Sequence, residues 1–370
     1  MALALAQDEA FARIRLLRSP NVGPVSYAQL LRRFGNAASA LEALPDLAGR
    51  GGSAYRPAPA DRVEREIAGV KRAGARYLFH DSPGYPALLA EADGAPPILI
   101  ARGNDEVAAR PAVAVVGARN SSAAAVKLAR DFAAALAGEG YAVVSGLARG
   151  IDGAAHRGAL SAGASGGGTI GVIASGIDLA YPPEHADLQD QIAAEGLLLT
   201  EQVPGTEPLA RHFPARNRII AGIAAGTLVV EAAPRSGSLI TARLAGEMGR
   251  EVMAVPGSPL DSRSRGCNQL IRDGAVLVQS AEDVIELISG FAGAPRSTFR
   301  EVAGSWDSAP DGLSDDPADI AGLLTTAPVA IDELIRQSGT SAAAVQLALL
   351  ELELAGRLVR HAAGRVSVSG

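Results

Sequence analysis

The sequence almost lacks cysteine, since Cys267 is the only one among 370 residues. A disulfide framework is therefore excluded, and the composition fits a protein of the reducing cytoplasm. The single cysteine and the five scattered histidines form no cluster with the spacing of metal ligands. The sequence therefore predicts no bound metal and no cofactor.

Long hydrophobic runs are also missing. No apolar stretch approaches the length of a membrane span, and the N-terminal MALALAQDEAFARIRLL lacks the basic start and unbroken apolar core of an export signal. We therefore expect neither a membrane anchor nor export. An excess of basic charge is missing too, because the formal net charge is −6 and the isoelectric point is about 5.5. Binding of nucleic acid would need a local basic patch.

What the chain does contain is a regular alternation of two kinds of segment. The strand-like runs VAVVG, YAVVSG, TIGVIAS, LLLTE, TLVVEA, EVMAVPG and AVLVQS alternate with helix-like stretches between residues 111 and 290. This pattern is typical of a parallel sheet with helices on both faces, so we predict an α/β fold with an extended Rossmann-like sheet. Ligands of such sheets bind at the carboxyl ends of the strands. The loops at those ends therefore form the candidate site.

The first such loop lies in PAVAVVGARNSSAAA, where a buried strand turns into a helix. Gly117 permits a sharp turn, and Ser121 and Ser122 can cap the helix. A helix N-terminus presents free N–H groups and a partial positive charge, so this turn is a candidate anion site. Arg119 adds a planar charged group suited to phosphate. A plain strand-to-helix turn with an exposed arginine is the alternative.

The second loop lies in SGLARGIDGAAHRGAL, which begins at Ser145. Gly146 and Gly150 free the backbone, and Arg149 supplies positive charge. These features repeat those of the first loop, and strands that are neighbours in a parallel sheet end at the same edge. We therefore expect the two loops to contribute to one site.

The most basic stretch is RHFPARNRIIAGIAAG. Its arginines Arg211, Arg216 and Arg218 occur without any acidic residue, and Phe213 and Asn217 lie among them. Arginines with an aromatic ring and an amide, placed at the mouth of a parallel sheet, suit a backbone of phosphates with unpaired bases alongside. The sequence therefore favours single-stranded nucleic acid as the ligand, over an ordinary solvated start of a helix.

Two further loops carry candidate residues. In SGIDLAYPPEHADL, Tyr181 could stack on a base or simply pack against the protein. In EAAPRSGSLITARLAGEMG, Arg235, Ser236, Gly237 and Ser238 open a helix directly after a strand. Free N–H groups and hydroxyls meet at such a helix start, which favours phosphate there.

The rest of the chain is predicted to form flanking modules. Residues 1–76 are expected to be a helical domain, residues 77–110 a proline-rich connector arm outside regular sheet and helix, and residues 111–290 the sheet domain. Residues 291–317 are rich in acidic side chains and are expected to be a linker. Residues 318–370 resemble a small winged helix.

Each flanking module leaves two functional interpretations open. In the N-terminal module, the turn around Gly23 and the following YAQLLRRFG resemble a helix–hairpin–helix, whose glycine turn approaches phosphate; a helical hairpin without that role is the alternative. In the winged helix, the third helix has no Lys or Arg between Thr340 and Gly356 and carries Glu351 and Glu353. This acidity favours a role in protein contact, or a vestigial module, over DNA reading.

The central motifs together resemble the DprA (Smf) family of DNA-processing proteins. The matching runs are VAVVGARNSS, SGLARGIDGAAHRGAL, GIDLAYP, FPARNRIIAGI, VVEAAPRSGSLITARLA, EVMAVPG and GCNQLIRDGA, in the family's order and spacing. The resemblance implies a protein that binds single-stranded DNA during natural transformation, helps to load the RecA recombinase onto it past single-strand-binding protein, and acts as a homodimer. The helical N-terminus, a SAM-like or helix–hairpin–helix domain, and the winged C-terminus are similar to parts of the same family.

The resemblance and the loops together give a set of candidate residues. By motif match, Arg119 is the family arginine of the first turn. Many members carry a basic residue where this chain has Ala215, and Arg211 is a neighbour that could substitute for it. The predicted DNA-binding residues are Gly117, Arg119, Ser121, Ser145, Gly146, Arg149, Gly150, Arg211, Phe213, Arg216, Asn217, Arg218, Ser236, Gly237 and Ser238. No catalytic residue is predicted.

Catalysis is the competing interpretation. A nucleotide-cleaving hydrolase of the cytokinin-activating type has a similar sheet, with a glutamate three residues after a motif threonine. Here Leu244 occupies that position after Thr241, although Glu231 and Glu247 are nearby. Asp152 and His156 are four residues apart on one helix and could act as acid and base, with a structural hydrogen bond as the alternative. A dinucleotide-dependent reductase is disfavoured because the first turn reads GARNSS and not GxGxxG.

Overall fold

The computed structural model describes residues 5–50, 55–289, 320–361 and 364–369. The chain divides into two compact units, one of residues 66–298 and one of residues 3–65 with 299–370. The expected acidic linker, residues 291–317, lies outside the described residues. Among those described, no helix combines the length and the apolar character that a membrane span requires.

The larger unit is built on a nine-stranded sheet. Its strands, in chain order, are β1 (Arg76–Phe79), β2 (Ile98–Gly103), β3 (Ala112–Val116), β4 (Ala142–Ser145), β5 (Thr169–Val172), β6 (Leu197–Thr200), β7 (Gly226–Val229), β8 (Glu251–Ala254) and β9 (Val276–Leu277). Their spatial order is β1-β2-β6-β5-β4-β3-β7-β8-β9. Strands β3 to β9 run parallel. The predicted α/β fold and all of its predicted strands are confirmed.

Helices cover both faces of this sheet. In chain order the helices of the chain up to residue 289 are α1 (Gln7–Leu17), α2 (Pro24–Phe34), α3 (Ala37–Arg50), α4 (Ala60–Arg72), α5 (Ala87–Ala90), α6 (Ala123–Gly138), α7 (Ile151–Leu160), α8 (Ala186–Glu195), α9 (His212–Ile223), α10 (Gly237–Glu247), α11 (Arg265–Arg272) and α12 (Ala281–Ser289). Helices α6, α7 and α12 share one apolar core with the sheet, and α9, α10 and α11 share another. Strands buried on both faces explain why β3 and β4 read as unbroken apolar runs.

One expectation about this unit is wrong. Residues 77–110 were expected to lie outside regular sheet because of their prolines, yet β1 and β2 pair antiparallel and β2 pairs antiparallel with β6. The prolines lie between the two strands and at the start of the short helix α5, so they interrupt neither ladder. The segment therefore extends the sheet by two strands.

The smaller unit contains the helical N-terminus and the winged helix. Its C-terminal elements are α13 (Ile320–Leu323), β10 (Val329–Ala330), α14 (Ile331–Ser338), α15 (Ala342–Leu354), β11 (Leu358–His361) and β12 (Arg365–Val368). The winged helix has an apolar core of its own, centred on Leu334, Val345 and Leu349. A second core joins α1, α2 and α3 to Leu350 and Leu354 of α15. The third helix of the winged helix therefore contacts the N-terminal helices of the same chain.

Candidate nucleic-acid interface

The topology of the sheet creates a crevice at the carboxyl ends of β3 and β7. These strands are neighbours, but the helices that follow them, α6 and α10, pack on opposite faces of the sheet. The two connections therefore diverge and leave a gap between them, which is the usual ligand position in sheets of this kind. The predicted first loop and the loop before α10 both border this gap.

Glycines let the neighbouring loops approach each other closely. Gly150 has a φ of 72°, and a Cβ atom there would overlap the carbonyl oxygen of Ala118 in the first loop. A Cβ atom on Gly146 would overlap the guanidinium of Arg216. The absence of side chains at these two positions therefore brings the first loop, the second loop and α9 into one compact arrangement.

The guanidinium of Arg216 is buried beneath this arrangement. Its side chain donates hydrogen bonds to the carbonyl oxygens of Gly146 and of Val172, the latter at 2.6 Å, and its Nε lies 3.2 Å from Oδ1 of Asn217. Burial lowers the pKa of Arg216 to about 10, against the opposing effect of Asp152. At this pKa the side chain is still charged at neutral pH. Arg216 therefore ties the ends of β4 and β5 to α9 and gives the site a fixed positive charge.

Two adjoining cavities open above Arg216, with volumes of about 600 Å³ and about 380 Å³. Both are lined by Arg119, Asn120, Ala148, Phe213 and Arg216. The guanidinium carbon of Arg119 lies 5.0 Å from the centre of the Phe213 ring, and the Phe213 ring lies 5.8 Å from that of Tyr181. Tyr181 is 43% exposed. A charged group and two aromatic rings are thus arranged side by side along the cavity walls.

The helix N-terminus after the first loop is already occupied by a carboxylate. Glu231, at the end of β7, accepts hydrogen bonds from the backbone N–H of Ser122 at 2.9 Å and from its hydroxyl at 2.7 Å. Ser122 also caps α6 as expected. The negative charge of Glu231 stabilises this helix end and disfavours a second anion there. A phosphate at the α6 terminus, as predicted for the first loop, would have to compete with the Glu231 carboxylate.

The N-terminus of α10 is open. Ser236 caps the helix through its hydroxyl, which accepts from the backbone N–H of Ser238, and the next residue, Gly237, is exposed. The side chain of Asn217 donates to the carbonyl oxygen of Gly237 at 3.3 Å and so holds this turn against α9. The start of α10 therefore borders the 600 Å³ cavity, where its partial positive charge can attract an anion.

The structure brings most, but not all, of the predicted residues to the cavities. The larger cavity is lined by Gly117, Arg119, Phe213, Arg216, Asn217, Ser236, Gly237 and Ser238, and the smaller one adds Gly146 and Arg149. Ser121, Ser145, Gly150, Arg211 and Arg218 line neither cavity. The predicted convergence at the strand ends therefore includes Arg119 and the SGS turn, but it does not include every arginine of the basic stretch.

The residues outside the cavities have other contacts. Arg218 donates to the carbonyl oxygen of Gly94 at 2.7 Å and forms an ion pair with Glu201. The hydroxyl of Ser145 is buried in the sheet and donates to the carbonyl oxygen of Val115 at 2.7 Å. Arg211 is exposed immediately before α9. Because the basic stretch forms a helix, consecutive arginines point in different directions, which the spacing alone did not reveal.

Two arginines that line the larger cavity are absent from the predicted set. Arg235 is exposed and adopts a φ of 70°, and Arg263 forms an ion pair with Asp261 at 2.9 Å. Both lie in loops that follow strands, β7 and β8 respectively. Arg235 opens the loop that the position rule for parallel sheets predicts as a phosphate site, although it is not among the predicted DNA-binding residues. With Arg119 and Arg216 they make the cavity strongly basic, although the chain as a whole is acidic.

The possible acid–base pair on α7 is engaged in structural contacts. The carboxylate of Asp152 accepts from the backbone N–H groups of Gly146 at 3.2 Å and Ala148 at 3.4 Å. Nδ1 of His156 lies 2.8 Å from the hydroxyl oxygen of Thr169. Burial lowers the pKa of His156 to about 3, so the ring is neutral at physiological pH. The two side chains thus bond to different groups, which supports the structural interpretation.

We predict that Gly146→Ala destabilises the protein, because the new methyl group competes with the Arg216 guanidinium for the same space. The expected loss in the free energy of unfolding is about 1–3 kcal/mol, as for other overpacked sites. Gly237→Ala is the matched control, since within the described residues no heavy atom lies within 4 Å of its added Cβ. Denaturant unfolding of the two variants measures the difference, and equal stability would contradict the packing described for Gly146.

Cys267 lies on the α11 side of the sheet and is fully buried. Its thiol packs near the carbonyl oxygen of Val229, at 3.6 Å. Burial raises the pKa of Cys267 to about 11, so the thiol is protonated at neutral pH. This cysteine therefore belongs to the core and lacks the character of a reactive thiolate.

Comparison with known proteins agrees with this architecture. Residues 76–289 match the family model described as DNA recombination-mediator protein A, residues 7–69 match a DprA-like N-terminal HHH domain, and residues 306–364 match a DprA winged helix domain. A putative DNA processing protein DprA from Mycobacterium tuberculosis is 40% identical over 337 residues, which cover 84% of each chain.

Two solved structures are also similar. DNA processing protein A from Streptococcus pneumoniae is 37% identical with a TM-score of 0.63, and the match covers 77% of this chain and 98% of that one. The corresponding protein from Helicobacter pylori, whose structure is described for its single-stranded DNA binding mode, is 26% identical with a TM-score of 0.52, covering 59% of this chain and 97% of that one. The sheet, both flanking modules and these relatives lead to one conclusion: the chain belongs to the DprA family, the DNA recombination-mediator proteins A.

Proposed function

We propose that this chain binds single-stranded DNA in the crevice at the carboxyl edge of its sheet. The observation that carries the proposal is the wall shared by the two cavities, where the Arg119 guanidinium lies over the Phe213 ring and the Tyr181 ring lies alongside. This combination offers a partner for a phosphate and a surface for a base at adjacent positions. The single-stranded DNA binding mode described for the Helicobacter pylori relative supports the same ligand.

Phosphates would be held by full charges and by backbone N–H groups together. Arg119, Arg235 and Arg263 surround the larger cavity, and the open end of α10 faces it. Charge-assisted hydrogen bonds from arginine to phosphate are among the strongest that proteins make. The carboxylate of Glu231 excludes the neighbouring α6 terminus, so the DNA backbone is directed to the α10 side of the crevice.

Unpaired bases would be held by the aromatic side chains. Tyr181 and Phe213 line the smaller cavity, and stacking on such rings tolerates any base because every base has a π-face. A base inside a duplex is already stacked on both sides and cannot use these surfaces. We therefore propose that the crevice prefers single strands and shows little sequence preference.

The biological step that we propose is delivery of the bound strand to the RecA recombinase during DNA uptake. Membership of a family described as recombination mediators supports this role, because a mediator acts between a DNA strand and its recombinase. Single-strand-binding protein would be the competitor on the strand, and the chain would act as a homodimer in the cytoplasm. RecA ATPase activity on strands coated with single-strand-binding protein tests the proposal; no acceleration by this protein would contradict it.

We propose a binding role without catalysis. Leu244 occupies the position of the glutamate that a hydrolase of the related type would use, and the nearby Glu231 carboxylate accepts from the N–H and hydroxyl of Ser122. Thr241 is 2% exposed and lies in α10. A nucleotide-hydrolysis assay tests this, and turnover that Glu231→Gln abolishes would favour the enzyme.

We predict that the affinity for a single-stranded oligonucleotide falls steeply with added salt, because phosphate contacts release bound counterions. The logarithm of the association constant should fall linearly with the logarithm of salt concentration, by roughly 0.7 for each phosphate neutralised. Gel shifts or fluorescence anisotropy over a salt series measure this slope, with a blunt duplex of the same sequence as the comparison. An affinity that does not change with salt, or that is equal for duplex and single strand, would contradict the proposal that single-stranded DNA binds in this crevice.

A further inference from the structure

Two arginines at the cavities are each paired with a carboxylate in the same way. Arg149, in the smaller cavity, donates from Nε and Nη2 to the carboxylate of Glu184, with Nη2 at 2.8 Å from Oε2. Arg263, in the larger cavity, donates from Nε at 3.1 Å and from Nη2 at 2.9 Å to the carboxylate of Asp261. In both cases the carboxylate lies on the side of the guanidinium that carries Nε. We call these contacts the side-on pairs.

A side-on pair leaves the outer edge of the guanidinium available. The planar fork of N–H donors extends over Nε, Nη1 and Nη2, and Nη1 of Arg149 and of Arg263 has no hydrogen-bond partner among the described residues. The edge formed by Nη1 and Nη2 has the geometry that binds a phosphate through two parallel hydrogen bonds. Arg218 differs, because its Nη1 donates to the carbonyl oxygen of Gly94 and its Nη2 to Glu201. Its outer edge is therefore already occupied.

The loop between β8 and α11 holds Asp261 in place. Asn268 closes the base of this loop, because its side-chain amide exchanges hydrogen bonds of 3.1 Å and 2.9 Å with the backbone of Gly257. The N–H of Asp261 donates to the carbonyl oxygen of Ser258 at 3.0 Å, and Oδ1 of Asp261 also accepts from the backbone N–H of Arg263 at 2.9 Å. The hydrogen bond from the Arg263 side chain lowers the pKa of Asp261, so the carboxylate is charged at neutral pH. A fixed carboxylate thus sets the direction of the guanidinium.

Glu184 is held in a comparable way. It lies in the short 3-10 turn Pro183–His185, and the ring of His185, which is buried, donates from Nδ1 to the carbonyl oxygen of Leu147 at 2.9 Å. Leu147 belongs to the same loop as Arg149. This hydrogen bond therefore joins the turn that carries the carboxylate to the loop that carries the guanidinium. The hydrogen bond from Arg149 lowers the pKa of Glu184, which is likewise charged at neutral pH.

From this repeated geometry we infer that the carboxylates of the two side-on pairs are positioning groups: they hold each guanidinium with its outer edge ready for a phosphate of the bound strand. The inference rests on the proposed single-strand crevice. It places one oriented arginine in each cavity, with Arg119 on the wall that the cavities share. An ordered arginine loses less conformational entropy when it binds, so the pairing favours association. A carboxylate that acted only through its charge would instead repel the phosphates, and the two effects have opposite signs.

Neutralising one carboxylate separates these effects. Asp261→Asn keeps the shape, but its amide group cannot accept two hydrogen bonds from Arg263. We expect single-strand affinity to fall about fivefold although the chain loses a negative charge, because the strand must now order a rotamer-rich side chain. Glu184→Gln should have the same effect in the other cavity. Glu247→Gln is the control: Glu247 pairs with Arg243, which lines neither cavity, and single-strand affinity should be unchanged. Fluorescence anisotropy with a labelled oligonucleotide measures all three.

A second background shows whether Asp261 acts through Arg263. In an Arg263→Ala chain, adding Asp261→Asn should cause no further loss of affinity, because the positioned group is gone. A further fivefold loss there would assign the effect to the loop and overturn the inference. Equal or tighter binding by folded Asp261→Asn and Glu184→Gln variants would also overturn it. If the unaltered chain binds no single strand, the proposed crevice itself is contradicted; binding by the unaltered chain with unaffected variants contradicts the positioning role alone.

Discussion

Arg119→Ala is expected to weaken single-stranded DNA binding by between about tenfold and a hundredfold, the value of one lost charge-assisted hydrogen bond in a binding site. Arg119 is exposed, lines both cavities and is ordered by the Phe213 ring. Its removal takes away a phosphate partner and one side of the aromatic arrangement at once. Fluorescence anisotropy with a labelled oligonucleotide measures the loss, and the salt slope should fall by roughly 0.7.

The matched control for Arg119 is Arg243→Ala. Arg243 is an exposed arginine on α10 that pairs with Glu247 and lines neither cavity. Both variants change the net charge equally, so a general electrostatic attraction would weaken both to the same degree. Equal losses, or no loss for Arg119→Ala, would show that the crevice is not where the strand binds.

Arg216→Ala is expected to act through the fold more than through a direct contact with DNA. The substitution leaves the buried carbonyl oxygens of Gly146 and Val172 without their donor and leaves Asp152 without its nearby positive charge. Removal of one partner from a buried charged network costs about 3–5 kcal/mol. We therefore expect a large fall in the free energy of unfolding, measured by denaturant titration, with loss of DNA binding as a consequence.

The comparison variant for Arg216 is Arg149→Ala. Arg149 is exposed and its guanidinium donates to Glu184 at 2.8 Å, a surface pair of the kind that contributes little to stability. It should unfold like the unaltered chain. If Arg216→Ala is as stable as Arg149→Ala yet binds DNA poorly, then Arg216 contacts the DNA directly. Its hydrogen bonds to the ends of β4 and β5 would then contribute little to the stability of the protein.

The sequence predicted the sheet well because its strands are buried on both faces. A run such as AVAVV is apolar throughout, so its assignment to a strand does not depend on an alternating pattern. The glycine that follows such a run marks the end of the strand. The two strands of residues 76–103 were missed because prolines near a short apolar run argue against sheet when only local signals are available. Their pairing with β6 is a long-range contact that no local pattern contains.

The candidate site was predictable in location but not in detail. The rule that ligands bind at the carboxyl ends of strands placed Arg119 and the SGS turn correctly at one crevice. It could not show that Glu231, distant in sequence, closes the α6 terminus, nor that Arg218 turns away to pair with Glu201. Both facts depend on which side chains meet across the folded chain, and spacing along one segment does not contain that information.

The burial of Cys267 makes the protein convenient for site-specific labelling. A thiol that is sealed in the interior and remains protonated reacts slowly with maleimide dyes, and the sequence contains no other cysteine. New cysteines can therefore be placed on the surface and conjugated selectively while the native one stays in position.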